Sequence, residues 1–212
     1  MKSPTIAIID YRMSNLFSIK NALDVLDIKG IITSSPKEIL TADGAILPGV
    51  GSYPEAVKHL HQLELFETIK EFIESGKPFM GICLGLQLLF SKSEEFGITK
   101  GLDLVKGSVV SFKNETQINT VPHVGWNKIL LNTDTVNNEK NPYRKIENGE
   151  YFYFVHSFYV KPESNNIVSS YTEHEGYQFC SSVIKDNIFA SQFHPEKSGD
   201  KGLIILKEFF MN

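Results

Sequence analysis

The chain has 212 residues, 42% of them hydrophobic and 22% charged, with a formal net charge of −4. That balance is ordinary for a soluble globular protein with a sizeable core. The acidic excess leaves no basic footprint, which excludes nucleic-acid binding as the main task.

The first hundred residues alternate between two periods. TIAIID (5–10) is a short apolar run suited to a buried strand. SNLFSIKNALDVLDI (14–28) repeats apolar residues at helical spacing, with Ser14 or Asn15 available as an N-cap. GAILPGVG (44–51) is a strand ending in glycines. PEAVKHLHQLELFETIKEFIESG (54–76) reads as one helix, with Pro54 in its first turn and Gly76 as its stop. KPFMGIC (77–83) is a strand and LGLQLLFSKSEEFG (84–97) a helix. Such alternation implies parallel strands joined by helical crossovers.

The second half is β-rich: LVKGSVVSF (104–112), GEYFYFVHSFYV (149–160), NIVSSYT (166–172), YQFCSSVIKDN (177–187) and IFASQFH (188–194). Asp186-Asn187 marks a hairpin between the last two. GDKGLIILKEFF (199–210) is a closing helix, and the polar segment 130–149 is a loop excursion rather than a domain boundary. One α/β domain over residues 1–212 is expected, with a mostly parallel central sheet flanked by helices and a β-rich C-terminal half.

The two cysteines, Cys83 and Cys180, make neither a disulfide framework nor a CxxC metal pair. The opening MKSPTIAIID lacks the apolar core and cleavage site of a secretory signal. The apolar stretch PFMGICLGLQLLF is too short to span a membrane and is broken by Gly85 and Gln87. A cytoplasmic location is expected.

Gly81-Ile82-Cys83-Leu84-Gly85 has the spacing of a nucleophile elbow with sulfur in place of oxygen. A nucleophile on a sharp strand-to-helix turn needs small neighbours, and glycine two residues to either side removes the clashes. The following helix points its positive end at the sulfur. A nucleophile needs a base, and the base an orienting acid. Of the six histidines, His59 and His61 fall in a charged amphipathic helix and His174 in a polar turn. His194 instead ends an apolar strand where Pro195 stops the ladder, and Glu196 follows two positions later, close enough to return onto the imidazole. In LPGVGSYPEA (47–56), Gly49 and Gly51 flank Val50 and leave backbone N–H groups accessible. This turn and the N–H of Leu84 are candidates for an oxyanion hole; a phosphate cradle or a plain glycine turn are the alternatives.

PGVGSY, GICLGLQLL and FHPEKSG, in this order, resemble the class I, triad-type glutamine amidotransferases. VPHVGWN (121–127), YFVHSFY (153–159) and QFHPEKSGDKGL (192–203) bring the resemblance to the branch made up of the glutaminase subunits of imidazole glycerol phosphate synthase. The resemblance runs from Ile8 to the final helix. It implies that Cys83 attacks the side-chain amide of L-glutamine, that His194 shuttles the proton, and that Glu196 orients His194. It further implies that Gly49, Val50 and Leu84 form the oxyanion hole after the Gly49–Val50 peptide reorients, and that Gly51, Gln87, Ser157 and Phe158 hold the substrate. No metal or organic cofactor is implied. The partner implied is a cyclase subunit, a (β/α)₈ barrel forming a heterodimer and receiving ammonia, with Arg12, Asn15, Trp126, Asn127, Tyr153 and Lys197 at the interface. Cys180 matches no catalytic position and is expected in the core.

One segment departs from the family pattern. Where the family usually has DYGxGN, this chain has DYRMSN (10–15), so Arg12 and Ser14 replace two glycines. Arginine is not expected to reproduce a glycine-only backbone. The departure keeps open a related reading, in which the ammonia serves a barrel partner in amidino-sugar biosynthesis. A non-catalytic interaction subunit is the alternative from another class, and the intact Cys83, His194 and Glu196 speak against it. A general α/β hydrolase is disfavoured because its acid would precede the histidine.

Overall fold

A computed structural model describes residues 3–13, 15–136 and 141–211. Strand β1 (Thr5–Ile9) buries Ile6, Ala7, Ile8 and Ile9, the unbroken apolar run of a strand covered on both faces. Helix α1 (Leu16–Val25) turns Ile19, Ala22 and Leu23 inward. Asn15 occupies its N-cap position without a side-chain capping bond, and Ser14, the other expected cap, lies outside the described residues. Strand β2 (Lys29–Thr33) and helix α2 (Pro36–Thr41) follow; neither was expected from the sequence. Ser35 caps α2, its hydroxyl accepting from the N–H of Glu38.

Strand β3 (Gly44–Leu47) leads to α3 (Tyr53–Gln62) and α4 (Leu65–Glu74). The single helix expected over 54–76 is thus two, broken at Glu64, whose φ is 57°. Apolar spacing continues across the break, which is why the sequence hides it. The bend lets Phe66, Ile69, Phe72 and Ile73 cover core that a straight extension of α3 would leave behind. Gly76 ends α4 with φ 77°, as expected.

Strand β4 (Phe79–Ile82) runs into α5 (Leu84–Leu88), and β5 (Phe90–Ser93) follows almost at once. The helix expected over 84–97 therefore stops after five residues. Its second half is taken by strand pairing, parallel to β7 (Val105–Ser111) and antiparallel to the short β6 (Thr99–Lys100) that precedes it. Tertiary pairing overrides local propensity here.

A short helix α6 (Phe112–Glu115) precedes β8 (His123–Lys128) and β9 (Leu130–Leu131). The segment 149–160 divides at Ser157 into β10 (Tyr151–His156) and β11 (Phe158–Pro162). Strands β12 (Val168–His174), β13 (Tyr177–Lys185) and β14 (Ile188–Ser191) and helix α7 (Gly199–Met211) complete the chain. The expected hairpin at Asp186-Asn187 joins β13 to β14. Asn187 secures it by donating to the carbonyls of Ile73 and Lys77 at 2.9 and 2.7 Å.

The main sheet runs β2-β1-β3-β4-β14-β13-β11-β7-β5-β6, with β12 paired to β13 and β9. From β2 to β14 all neighbours are parallel; β14, β13, β11 and β7 are antiparallel. Strands β8 and β10 form a separate ribbon. One apolar cluster, including Tyr53, Phe72 and Phe79, and a second, including Phe112, Phe154 and Phe193, make up the core. Among the described residues no helix is long and apolar enough to cross a membrane.

The pairing that matters for function is β4 with β14. They are parallel, with Ile82 opposite Ser191, so the residues following each strand leave the sheet at the same edge. That edge lies beyond the carboxyl ends of the strands, where open α/β sheets place their ligands.

Candidate active site

Cys83 has φ 54° and ψ −106°, a backbone that side-chain-bearing residues rarely adopt. Its N–H donates to the Ser191 carbonyl at 2.7 Å, clamping the turn onto β14. A Cβ on Gly85 would lie 1.8 Å from the Leu47 carbonyl oxygen, and one on Gly81 3.0 Å from the Gly85 carbonyl. The approach at Gly85 requires glycine, and the one at Gly81 leaves a side chain little room.

His194 arrives from β14, its N–H donating to the Tyr153 carbonyl at 2.9 Å. Its Nδ1 lies 2.8 Å from Glu196 Oε1, and both side chains are 3% exposed. Pro195 opens a short 3₁₀ turn that returns the carboxylate to the imidazole, as the two-residue spacing predicts. The carboxylate can only accept, so Nδ1 carries a proton and Nε2 is the nitrogen left to exchange a proton with Cys83. Nε2 is buried without a conventional hydrogen bond among the described residues. Burial alone would push this imidazole down; the adjacent Cys83 sulfur, followed by Glu196, overcomes it and holds His194 up at about 10.

The sequence reading assigned no role to Gln192 or Ser198. Gln192, fully buried, donates its Nε2 to Cys83 Sγ at 3.5 Å and accepts from Gln87 Nε2 at 3.1 Å. Ser198 donates to the His194 carbonyl at 2.6 Å and accepts from the N–H of Tyr153 at 3.0 Å, tying the histidine to the ribbon. Both lie in the quoted 192–203 segment, but their spacing alone suggests nothing.

A cavity of about 440 Å³ opens over Cys83. Gly51, Gln87, Ser157 and Phe158, the four residues expected to hold substrate, all line it, with Val50 and Leu84. Glu95 and His156, neither given a role from the sequence, line it too. Glu95 Oε2 accepts from the Tyr53 N–H at 2.7 Å, and burial raises its carboxyl against the lowering effect of that bond.

The expected oxyanion hole is only half assembled. Leu84 is the first residue of α5, so its N–H has no intrahelical acceptor. The Val50 N–H instead donates to the Met13 carbonyl at 2.9 Å. Gly49 leans on Tyr11: a Cβ there would sit 2.1 Å from the Tyr11 hydroxyl, which is buried without a partner among the described residues.

Three of the expected interface residues lie together. Trp126 is 55% exposed and packs edge-on to Tyr153 at 6.2 Å between ring centroids, and Lys197 Nζ stands 5.9 Å over the Tyr153 ring. Arg12 and Asn15 are exposed on the segment between β1 and α1. Arg12 does take the left-handed backbone it was expected to refuse, at φ 71°, with its N–H bonded to Asp10 Oδ1 at 2.9 Å. Asn127 is half-buried and engaged within its own chain, donating to His123 Nε2 and to the Glu173 carbonyl.

Two of the histidines placed by the sequence in a charged helix and a polar turn are tied into the fold. His59 is half-buried with Nδ1 3.1 Å from the Tyr11 carbonyl oxygen, and His174 stacks on His123 with its Nε2 2.9 Å from the Thr120 carbonyl oxygen. His61 is exposed and stacks on Phe66. Among the described residues no group of three or more His, Cys, Asp or Glu could hold a metal ion.

A cysteine on a strained elbow, facing a buried His–Glu pair beside a largely apolar pocket with a few polar side chains, is the arrangement of a triad-type thiol enzyme on an α/β sheet. The chain belongs to the class I glutamine amidotransferase family, whose model matches residues 7–212. It is 48% identical over 205 residues, 96% of each chain, to a protein of Caldanaerobacter subterraneus subsp. tengcongensis named imidazole glycerol phosphate synthase subunit HisH. It is 45% identical over 204 residues, 96% of this chain and 97% of the other, to a Pyrococcus furiosus protein of the same name. In fold it is similar to a chain of PurLQS from Thermotoga maritima, with a TM-score of 0.73, 21% identity and 98% of each chain covered.

Proposed function

We propose that this chain is the glutaminase subunit of an imidazole glycerol phosphate synthase, acting as one amidotransferase domain over residues 1–212. The observation that carries the chemistry is the Cys83 elbow beside the buried His194–Glu196 pair. The names of its full-length relatives, at 41–48% identity, support the pathway.

His194 Nε2 takes the Cys83 proton and the sulfur attacks the side-chain carbonyl carbon of glutamine. Charge develops on the carbonyl oxygen, facing the Leu84 N–H. When the Gly49–Val50 peptide turns over, releasing Val50 from Met13, the Val50 N–H becomes the second donor. Collapse of the adduct passes the proton from His194 to the departing ammonia and leaves a glutamyl thioester. Water, activated by the same imidazole, hydrolyses the thioester and frees glutamate. Glu196 holds the tautomer and stabilises the imidazolium throughout. Glu95 is the half-buried carboxylate in the pocket wall placed to meet the substrate's α-ammonium.

Ammonia released into bulk water would be protonated and lose its nucleophilicity. A barrel-shaped cyclase subunit docked on Trp126, Tyr153 and Lys197, with Arg12, Asn15 and Asn127 at its margin, would receive it directly. Exposed Trp126 against half-buried Tyr153 suits an interface that is apolar with polar handles, and the Tyr153 carbonyl holds His194. The Val50 N–H bond to Met13 predicts a slow enzyme until that partner docks. Glutamate release, measured alone and with the cyclase subunit and its nucleotide substrate, tests the reading. Strong stimulation that disappears with Cys83→Ala is expected. Stimulation only by a sugar-pathway barrel protein would transfer the chain to the amidino-sugar reading, for which Arg12 and Ser14 in DYRMSN speak. Failure of Cys83 to react with a glutamine-analogue electrophile in the complex would favour a non-catalytic subunit.

A further inference from the structure

Two buried imidazoles that the reaction does not use lie at the glutamine pocket, His156 in its wall and His123 beyond it. His156 closes β10 and His123 opens β8, opposite each other in the ribbon. His156 Nδ1 lies 2.8 Å from the Phe158 carbonyl oxygen. A carbonyl only accepts, so Nδ1 carries the proton and the neutral ring's Nε2 is an acceptor. His123 Nδ1 lies 3.0 Å from that Nε2 and must donate to it. His123 Nε2 in turn accepts from Asn127 Nδ2 at 3.1 Å. The carbonyl at one end therefore dictates every tautomer in the row, and the donors run from Asn127 through His123 and His156 to Phe158.

The row ends where the backbone most needs support. At Ser157 the chain leaves the ribbon and enters the main sheet. The Ser157 carbonyl accepts from the Phe112 N–H at 3.2 Å, and the Phe158 carbonyl accepts from His156 and from Gln87 Nε2, the latter at 3.1 Å. At the Phe158 carbonyl, side chains thus supply the bonds that hold the pocket wall. His123 is stacked between His174 and Phe154, at 4.2 and 5.0 Å between ring centroids. Burial, then the neighbouring His174, pushes His123 down to about 4; burial, then His123, pushes His156 down to about 3. Both rings are neutral at neutral pH, as the row requires.

We propose that His123 and His156 are positioning residues for glutamine: their ordered tautomers hold the Ser157–Phe158 turn in the conformation that receives the substrate. The proposal rests on reading that turn as part of the glutamine site. In a Cys83→Ala background, which binds without turnover, calorimetry would measure glutamine affinity. His123→Leu removes the donor to His156 and should weaken binding about tenfold, as expected for a broken buried hydrogen bond. His123→Asn places an amide N–H near the position of Nδ1 and should restore affinity to within about threefold. Nitrogen-15 NMR of the unsubstituted protein should show both rings protonated at Nδ1 and bare at Nε2.

Equal affinity of the leucine and parent proteins, or a proton on His156 Nε2, would overturn the positioning role alone. Absence of glutamine binding by Cys83→Ala itself would instead overturn the reading of the pocket, and the positioning role with it.

Discussion

The two cysteines lie in regions that treat the same side chain in opposite ways. Cys180 sits within β13, opposite Val160 of β11, and its thiol donates to the Ser182 carbonyl at 3.5 Å. Burial pushes it up to about 12. It is a core residue, as expected. Cys83 is almost as buried, at 7% exposure, but stands just past a strand end on a left-handed backbone. It faces a cavity, and a buried glutamine and a histidine–glutamate pair surround it. Burial therefore does not separate a reactive cysteine from an inert one. The backbone that presents the sulfur and the groups gathered around it do.

The sharpest way to break this contrast is to remove each thiol in turn. Cys83→Ala should lower glutamate release by at least about 10⁴-fold, the scale of losing a triad nucleophile. Cys180→Ala should leave kcat within about twofold and cost about 1–2 kcal/mol in urea unfolding, since a small buried side chain is lost. Activity that survived in the first variant and vanished in the second would reverse the assignment.

The elbow itself is tested at Gly85. A methyl group there meets the Leu47 carbonyl, so Gly85→Ala must push strand and helix apart. A loss of about 3 kcal/mol in stability and about 10²-fold in kcat is expected. Glu95→Gln addresses the pocket rather than the sulfur. It should raise KM for glutamine about tenfold with little change in kcat, the mark of lost ground-state binding.

The coupling between Cys83 and His194 has a pH signature. His194 is raised from about 6.5 to about 10, with Cys83 the larger raising influence and Glu196 the smaller. A raised folded value means that the stabilisation is fully present below the unfolded imidazole's range and fades as pH climbs towards 10. Cys83→Ala should move the His194 titration, followed by NMR, to lower pH and flatten the loss of stability on the alkaline side. An unchanged titration would mean that the sulfur does not act on the imidazole.

The smallest effect concerns the left-handed backbone alone. Arg12, at φ 71°, also has a positive φ, without any bond to the reacting groups. Arg12→Gly should stabilise the protein by about 1 kcal/mol in chemical denaturation.

The parts of the site legible in the sequence were those set by short-range geometry. Two glycines around Cys83 specify a tight elbow because their missing side chains matter within one turn of chain. His194, Pro195 and Glu196 specify a returning carboxylate because two residues and a proline leave it little other room. The alternation of strands and helices through residue 83 placed the nucleophile at a sheet edge for the same local reason. Tertiary structure decided everything that depends on partners distant in the chain. Met13 holds the Val50 N–H, Gln192 reaches the Cys83 sulfur, Glu95 enters the pocket, and His123 meets His156 across the ribbon. The early end of α5 belongs with these, because residues 90–93 are claimed by strands they meet only after folding. A hydrogen bond between residues tens of positions apart leaves no periodicity to read; it exists only once packing has brought its donor and acceptor together.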